Sequence, residues 1–317
     1  MKAWMRILTI TFTSTKFKKK ITFGENYKSD KPDLNISVVL NKYMSPLKDS
    51  CSIRISNLTY AEILQLIEGE FYDVEIKAGY RTSKEEIIFK GGVLYISNSL
   101  GDKKTNTAII LCASNLVAKY GQQRLNLTLN SGINMYSAIN FLCKVNKVPN
   151  PNISTQLKKQ YLQEIINVNS NLGNWLETIL KTNNSFIMNS DSITDSNLLV
   201  YDANKSNARV IPLTSNNIIL NGGHPQLNKD GLNLSILPTF SFMCGDVIKI
   251  DNSILDIAVT NSSDYSQFSK GNFIDPDGLY TIYEMEYILE NRGSDFSVNL
   301  ICKSRSLISN VIGGNYD

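Results

Sequence analysis

The sequence predicts a mainly β protein with an α+β insert, in which two barrel or sandwich domains flank small α/β modules. Three observations lead to this prediction. Apolar and polar residues alternate along short segments in both end regions, helical spacing of apolar residues is concentrated in the middle, and turn-forming residues separate the segments. The 317 residues suffice for two or three domains. We predict a first β domain at 1–125, a middle module at 126–207, and a second β domain with a C-terminal tail at 208–317.

The first region consists mostly of predicted strands. Threonines alternate with apolar residues from Ile7 to Thr13, which predicts a strand rather than the apolar run of an export signal. A lysine-rich turn at Lys16–Lys20 follows, and its lysines are typical of a hairpin tip that protects a sheet edge. Further strands are predicted at Leu34–Leu40, Cys51–Ile55, Phe71–Ala78, Glu86–Ser97 and Thr105–Ala113.

One helix is predicted among these strands, at Tyr60–Glu68. Thr59 can cap its first turn, and Gly69 can end it. Its apolar stripe, which we expect to pack mainly into the core, is formed by Ile63, Leu64 and Ile67.

The middle region changes to helical spacing. We predict a helix at Met135–Val145 with Ser131 as its cap, and a second helix at Leu172–Lys181. A loop with two prolines separates them. Short strands are predicted after the second helix, at Ser185–Met188 and Leu198–Tyr201.

The last region returns to strands. Glycine-rich or polar turns separate the strand patterns, as in all-β domains. The predicted strands are Asn217–Leu220, Leu232–Ile236, Val247–Ile250, Gly278–Leu289 and Ser297–Cys302.

Composition excludes several functional classes. The net charge of +3 is too small to indicate a nucleic-acid or anionic-membrane partner. No apolar stretch approaches the ~20 residues that a membrane-spanning helix needs. The five cysteines are odd in number and far apart, and each lies in or beside an apolar segment, so we expect reduced core thiols rather than disulfides or zinc ligands. They are Cys51, Cys112, Cys143, Cys244 and Cys302.

No motif in the sequence predicts catalysis. His224 is the only histidine, and it follows two glycines in a turn where no nucleophile motif is visible. Glu284 and Glu286 could form a glycosidase pair, but two residues apart on a strand they point to one face and fit a solvated surface better. We therefore predict no catalytic, cofactor-binding or metal-binding residues, and the sequence does not identify the residues of a subunit interface.

The order of several segments is more specific than any single motif. In the first region a helix lies between the strand segments Ile53–Thr59 and Val74–Tyr80, and Ile88–Val93 follows. This order resembles the first domain of bacteriophage tail (baseplate) hub proteins, a family that is also found in contractile injection systems. In the last turn the chain departs from the family pattern, because Leu289 stands in place of a histidine and Asn291–Arg292 in place of Gly-Asp. The resemblance continues at Asn130–Val145, Leu172–Asn183, Asn221–Pro225, Gly231–Pro238, Gly245–Ile250, Gly278–Ile282 and Gly293–Phe296.

The resemblance implies a structural, non-enzymatic virion protein with two tube-like β domains per chain. Three copies would form a homotrimeric ring of six similar units, which would join the sixfold tail tube to the threefold central spike or tip. The implied partners are further copies of this chain, the tail tube protein, the spike or tip protein and other baseplate proteins. DNA could pass through the channel without specific binding, and no cofactor is implied. The implied location is the phage tail, assembled in the host cytoplasm.

Three alternatives remain open at this point. A tail tube or adaptor protein would normally have a single β domain. A tail-tip enzyme that binds or degrades the cell wall would have a cluster of catalytic acids in a cleft. A carbohydrate-binding β protein would expose aromatic side chains on one face.

Overall fold

A computed structural model describes residues 6–24, 34–44, 48–80, 85–101, 105–120, 124–149, 151–181, 186–189, 198–202, 209–213, 225–228, 231–238, 242–251, 255–257 and 277–304. The predicted fold class is confirmed, because most of these residues lie in strands and only a few helices accompany them. The predicted strand Asn217–Leu220 and the turn that contains His224 lie outside the described residues.

The N-terminal strands follow the alternation in the sequence closely. Side chains of β3 alternate between buried and partly exposed along its whole length, as a strand with one face on a core requires. The seven strands are β1 (Arg6–Ser14), β2 (Lys19–Phe23), β3 (Asn35–Tyr43), β4 (Ser50–Ser56), β5 (Asp73–Tyr80), β6 (Glu86–Gly101) and β7 (Thr105–Ser114).

The first helix, α1 (Tyr60–Glu68), has the predicted bounds. The Thr59 hydroxyl accepts a hydrogen bond from the Glu62 amide, and the Glu62 carboxylate accepts one from the Thr59 amide, so both ends of a capping box are present. Of the predicted apolar stripe, Ile63 is buried, Leu64 is partly exposed and Ile67 is 47% exposed. Leu66, which was not predicted, is buried instead. Residues 63 and 66 lie on the core side of the helix, and residue 67 is turned about 100° further around its axis.

The middle region contains helices α2 (Asn115–Ala118), α3 (Met135–Val145) and α4 (Leu172–Lys181), and a 3-10 helix at Thr155–Lys159. Helix α3 has the predicted bounds but a different cap, since the Asn134 side chain accepts the hydrogen bond from the Ser137 amide. The strands here are β8 (Arg124–Leu129), β9 (Asn152–Ile153), β10 (Ile166–Asn171), β11 (Phe186–Asn189) and β12 (Leu199–Asp202), of which β8, β9 and β10 were not predicted.

The C-terminal strands are β13 (Val210–Pro212), β14 (Gln226–Asn228), β15 (Gly231–Ile236), β16 (Val247–Lys249), β17 (Asp256–Ile257), β18 (Leu279–Glu290) and β19 (Phe296–Ser304). Three of them, β13, β14 and β17, have only two or three residues and were not predicted. Alternation cannot be recognised over so short a stretch.

The strands of both end regions belong to one sheet of 14 strands. Its order is β17-β14-β15-β19-β18-β3-β4-β7-β6-β5-β1-β2, and β16 and β13 continue from β18. The sequence did not predict this connection, because the two β regions were treated as separate barrels or sandwiches. The division at residues 125 and 207 stays a prediction.

Two hydrophobic cores accompany this topology. The first contains buried residues from both end regions, such as Ile36 and Ile53 with Tyr287 and Leu300. The second lies in the middle region and includes Leu142, Leu157, Leu176 and Val200. All five cysteines are free and buried, as predicted.

Candidate assembly surface

The two end regions meet where β3 pairs with β18, a contact called the junction from here on. The strands run antiparallel in an unbroken register from Glu284 opposite Tyr43 to Glu290 opposite Ser37. On the core side of this ladder, Leu40 and Tyr287 are opposite each other and fully buried. The junction is therefore part of the hydrophobic core, and it restricts movement between the two regions.

One asparagine closes the end of the junction. The Asn291 side-chain oxygen accepts a hydrogen bond of 2.8 Å from the Ile36 amide, and its side-chain nitrogen donates one of 3.2 Å to the Leu34 carbonyl. The Asn291 amide also donates to the Ile36 carbonyl at 3.1 Å. Asn291 is a departure from the family pattern, and an asparagine here satisfies backbone groups of β3 that a glycine could not.

An arginine from β1 holds the neighbouring turn. The guanidinium of Arg6 donates to the carbonyl oxygens of Gly293 and Ser294 at 2.8 and 2.9 Å. It also lies 5.3 Å from the ring centre of Phe296, which packs edge-on against Tyr80. Burial raises the pKa of the Tyr80 hydroxyl to about 12, so this tyrosine stays neutral at physiological pH. The turn between β18 and β19 is thus fixed to the N-terminal region at two points.

The two end regions repeat the same strand order. From β3 outwards the N-terminal part of the sheet runs β3-β4-β7-β6-β5-β1, and the C-terminal part runs β14-β15-β19-β18-β16-β13. The equivalent strands also have the same order along the chain. Strands β1, β3, β4, β5, β6 and β7 correspond in turn to β13, β14, β15, β16, β18 and β19. One difference is that β1 is antiparallel to β5, whereas β13 is parallel to β16. The repeated topology is what an internal duplication of one β unit would give.

The long hairpins of the two halves also agree in detail. In β6 the register against β7 shifts between Val93, opposite Cys112, and Tyr95, opposite Leu111. In β18 the register against β19 shifts between Ile282, opposite Cys302, and Glu284, opposite Ile301. Each hairpin therefore has a bulge beside an equivalent buried cysteine. Burial raises the pKa of the Cys112 thiol to about 12 and raises that of Cys302 as well, so both behave as apolar core groups.

The N-terminal half has a strand edge without a partner among the described residues. β5 pairs with β6 only from Glu86 to Gly92, and the Val93 amide donates one further hydrogen bond to the Tyr72 carbonyl. Beyond that point Leu94–Gly101, the overhang, pairs with β7 on one side alone. The overhang contains no charged residue, and Leu94 and Tyr95 are more than half exposed. Such an edge is a site for strand addition.

The opposite end of the same half is protected. The turn between β1 and β2 carries the lysine-rich segment at the hairpin tip, as predicted, and Lys19 and Lys20 are exposed at the start of β2. Lys16 pairs with Glu70 at 2.7 Å. Lysines on an edge strand oppose uncontrolled strand pairing. The overhang, in contrast, carries no lysine or other charged residue.

The two faces of the central sheet differ in character. One face is buried in the first core. On the other face, Glu284 and Glu286 point the same way, as predicted, and Glu286 accepts a hydrogen bond of 3.0 Å from Asn299. Side chains on this face are mostly small or polar and mix both charges. They include Ser37, Asn41, Ser50, Ser52, Arg54, Glu284, Glu286 and Asn299.

Two kinds of site have no counterpart among the described residues. Within the described ranges no group of three or more His, Cys, Asp or Glu residues could hold a metal ion. No helix in the same ranges is long and apolar enough to cross a membrane. Helix α1 carries an exposed apolar row, with Tyr60 at 62% and Ile67 at 47% exposure.

Comparison with solved structures identifies the fold. Neither a family model nor a curated protein sequence matches the chain. The 43 kDa tail protein of prophage MuSo2 from Shewanella oneidensis superposes with a TM-score of 0.58 at 10% identity, over 95% of this chain and 97% of that protein. A tail protein from Neisseria meningitidis gives 0.56 at 8% identity, over 96% and 98%. A component of the E. coli type VI secretion system, itself similar to bacteriophage T4 tail proteins, gives 0.54 at 8% identity, over 86% and 74%. The chain therefore has the fold of phage tail proteins along almost its whole length.

Proposed function

We propose that this protein is a structural hub of a phage tail or a related injection apparatus. In this role three copies form a ring around a channel, and the ring joins a sixfold tube to a threefold spike or tip. The observation that carries the proposal is the repeated strand order within one continuous sheet. A chain with two equivalent halves presents six equivalent units when three copies assemble, which matches a sixfold partner on one side and a threefold partner on the other.

The junction supports this proposal physically. Within one chain it shows that the two halves associate by strand pairing and a shared core. A ring repeats such a contact between chains, and closure of the ring removes exposed strand edges. The unpaired overhang of β6 is the kind of edge that a neighbouring chain would cover.

The polar face of the central sheet fits the lining of a channel. Its serines and asparagines hydrate well, and its arginine and glutamates carry both signs of charge. A surface without a basic cluster does not retain the phosphate backbone of DNA. DNA could therefore pass along this face without specific binding, and no cofactor or catalytic residue is required.

The proposed partners are further copies of this chain, the tail tube protein, the spike or tip protein and other baseplate proteins. The proposed location is the virion tail, with assembly in the host cytoplasm. Two of the solved structures with this fold are tail proteins, and the third is a secretion system component. Their fold supports a role in assembly rather than catalysis.

Oligomeric state is the direct test. Light scattering of the purified protein should give the mass of three chains of 35.5 kDa, and negative-stain micrographs should show rings with a central channel. A monomer across the concentration range would refute the proposal, and so would reproducible clearing of a peptidoglycan zymogram by the purified protein.

A further inference from the structure

We propose that the overhang of β6 pairs with strand β14 of a second copy of this chain, in the register that β18 has with β3 inside one chain. The inference rests on the proposed ring and specifies the strands that close it. It follows from the equivalence of the two halves, together with the strand edge that the N-terminal half leaves open.

The junction shows what such a hairpin does after its bulge. Before the bulge, β18 pairs with β16 of its own half, from Leu279 to Thr281. After the bulge it leaves β16 and pairs with β3 of the other half, from Glu284 onwards. The bulge therefore marks the point where the strand passes from its own half to the next one.

Strand β6 repeats the first part of this course. Before its bulge it pairs with β5 of its own half, up to Gly92. After the bulge it extends as Leu94–Gly101, with β7 on one side and no described strand on the other. By equivalence the missing partner is the strand that corresponds to β3, in the C-terminal half of a neighbouring chain.

The strand that corresponds to β3 is β14. β3 pairs with β4 such that Leu40 is opposite Cys51, and β14 pairs with β15 such that Leu227 is opposite Leu232. Cys51 and Leu232 are in turn opposite the equivalent cysteines of β7 and β19. Leu40 and Leu227 therefore occupy equivalent positions, and both are fully buried.

The register between chains follows from these equivalences. Inside the chain, Tyr287 is opposite Leu40 and Ile288 is opposite Val39. The residues that correspond to Tyr287 and Ile288, counted from the two bulges, are Asn98 and Ser99. Asn98 should therefore face Leu227 of the next chain.

The neighbouring pairs then follow along the strands. Ser99 should face Gln226, and Ser97 should face Asn228. Ser99 and Gln226 are both exposed in the isolated chain. Pro225 ends the ladder on one side, because proline has no amide hydrogen to donate.

In the isolated chain the outer edge of β14 is occupied by the two-residue strand β17. It pairs in parallel through Gln226 opposite Asp256 and Leu227 opposite Ile257. The incoming overhang replaces β17 with an antiparallel ladder, which is slightly more stable per residue than a parallel one. The same exchange covers the uncharged edge of β6. Because the contact joins an N-terminal half to a C-terminal half, it is heterologous, the kind of interface that generates a ring when its rotation closes.

Engineered disulfides test the register directly. In antiparallel strands the β-carbons of directly opposite residues lie about 4.5–5.5 Å apart, whereas diagonal neighbours two residues away are about 7–8 Å apart. The double variant Ser99→Cys with Gln226→Cys places a cysteine pair in the predicted register, and Ser97→Cys with Gln226→Cys shifts it by two residues. The native cysteines are buried, and the single variant Ser99→Cys shows whether they contribute.

The proteins are oxidised mildly with copper phenanthroline and then separated on a non-reducing gel. Light scattering of the same samples gives their oligomeric state. The inference predicts covalent dimers and trimers for the matched pair, at least several-fold more than for the shifted pair or the single variant. A trimer in which the matched pair does not cross-link overturns the inference and leaves the proposed ring intact. A chain that stays monomeric overturns both.

Discussion

Asn291 at the junction provides the most specific test of how the two halves are held together. Replacement by alanine removes two side-chain hydrogen bonds, of 2.8 Å from the Ile36 amide and 3.2 Å to the Leu34 carbonyl. Ile36 is fully buried, so its amide is left without its partner. A lost hydrogen bond contributes about 1 kcal/mol, and an unsatisfied buried amide costs about 1–3 kcal/mol, so we expect Asn291→Ala to destabilise by about 2–4 kcal/mol.

Urea unfolding followed by circular dichroism measures this change. With the slopes typical of proteins of this size, the midpoint should fall by about 1 M at a fixed protein concentration. Hydrogen exchange adds a local readout, since the Ile36 amide should exchange faster in the variant than in the wild type.

Two controls separate the junction from a general surface effect. Asn291→Asp keeps the acceptor for the Ile36 amide but turns the donor to the Leu34 carbonyl into a second acceptor. Its cost relative to the wild type should therefore fall at low pH, where the protonated carboxyl can donate to that carbonyl again. Asn299→Ala, in the same hairpin, removes one bond to Glu286 on the polar face and should cost about 1 kcal/mol or less. If Asn291→Ala unfolds within about 0.5 kcal/mol of the wild type, the asparagine does not hold the junction and the reasoning fails.

Three further predictions address the helix cap, a buried acid and a glycine with positive φ. Thr59→Ala removes the capping box with Glu62 and should cost about 1 kcal/mol in urea unfolding, with unchanged strand content by circular dichroism. Burial raises the pKa of the Asp246 carboxyl above its ordinary value of 3.8, so the charged form is disfavoured in the folded state. The wild type should therefore gain stability relative to Asp246→Asn as pH falls from neutral through the folded-state pKa; a constant difference in urea midpoint between neutral pH and pH near 3.8 would contradict this. Gly231 has φ +128°, and a β-carbon there would collide with the Cys302 carbonyl, so Gly231→Ala should destabilise by at least about 1–3 kcal/mol, measured as a lower thermal midpoint.

Local patterns in the sequence predicted local structure well. Helix α1 has the predicted bounds because a capping box begins it and Gly69 ends it. Both signals are formed by residues close together in the sequence. The face that α1 buries was harder to predict. Large apolar residues occur at 60, 63, 64, 66 and 67, so they spread over about 160° of the helix circumference, and spacing alone does not select the row that meets the core.

Strand partners could not be predicted in the same way. The pattern that makes β3 a strand says which face is buried, but it does not say which strand lies beside it. Ile36 and Asn291, which meet at the junction, are 255 residues apart in sequence. The overhang was missed for a related reason, since Glu86–Gly101 has the same alternation whether one or two strands accompany it.

The order of synthesis gives the junction a consequence for folding. A ribosome that adds about 5–20 residues per second needs roughly 10–50 s to proceed from Ile36 to Asn291. During that time β3, whose apolar residues include Val38, Val39 and Leu40, has no β18 to cover its outer edge. The middle region builds a separate core in the interval. Chains released before β18 is made would expose the unpaired backbone edge of β3. Premature termination should therefore produce aggregates or chaperone-bound fragments rather than soluble half-proteins.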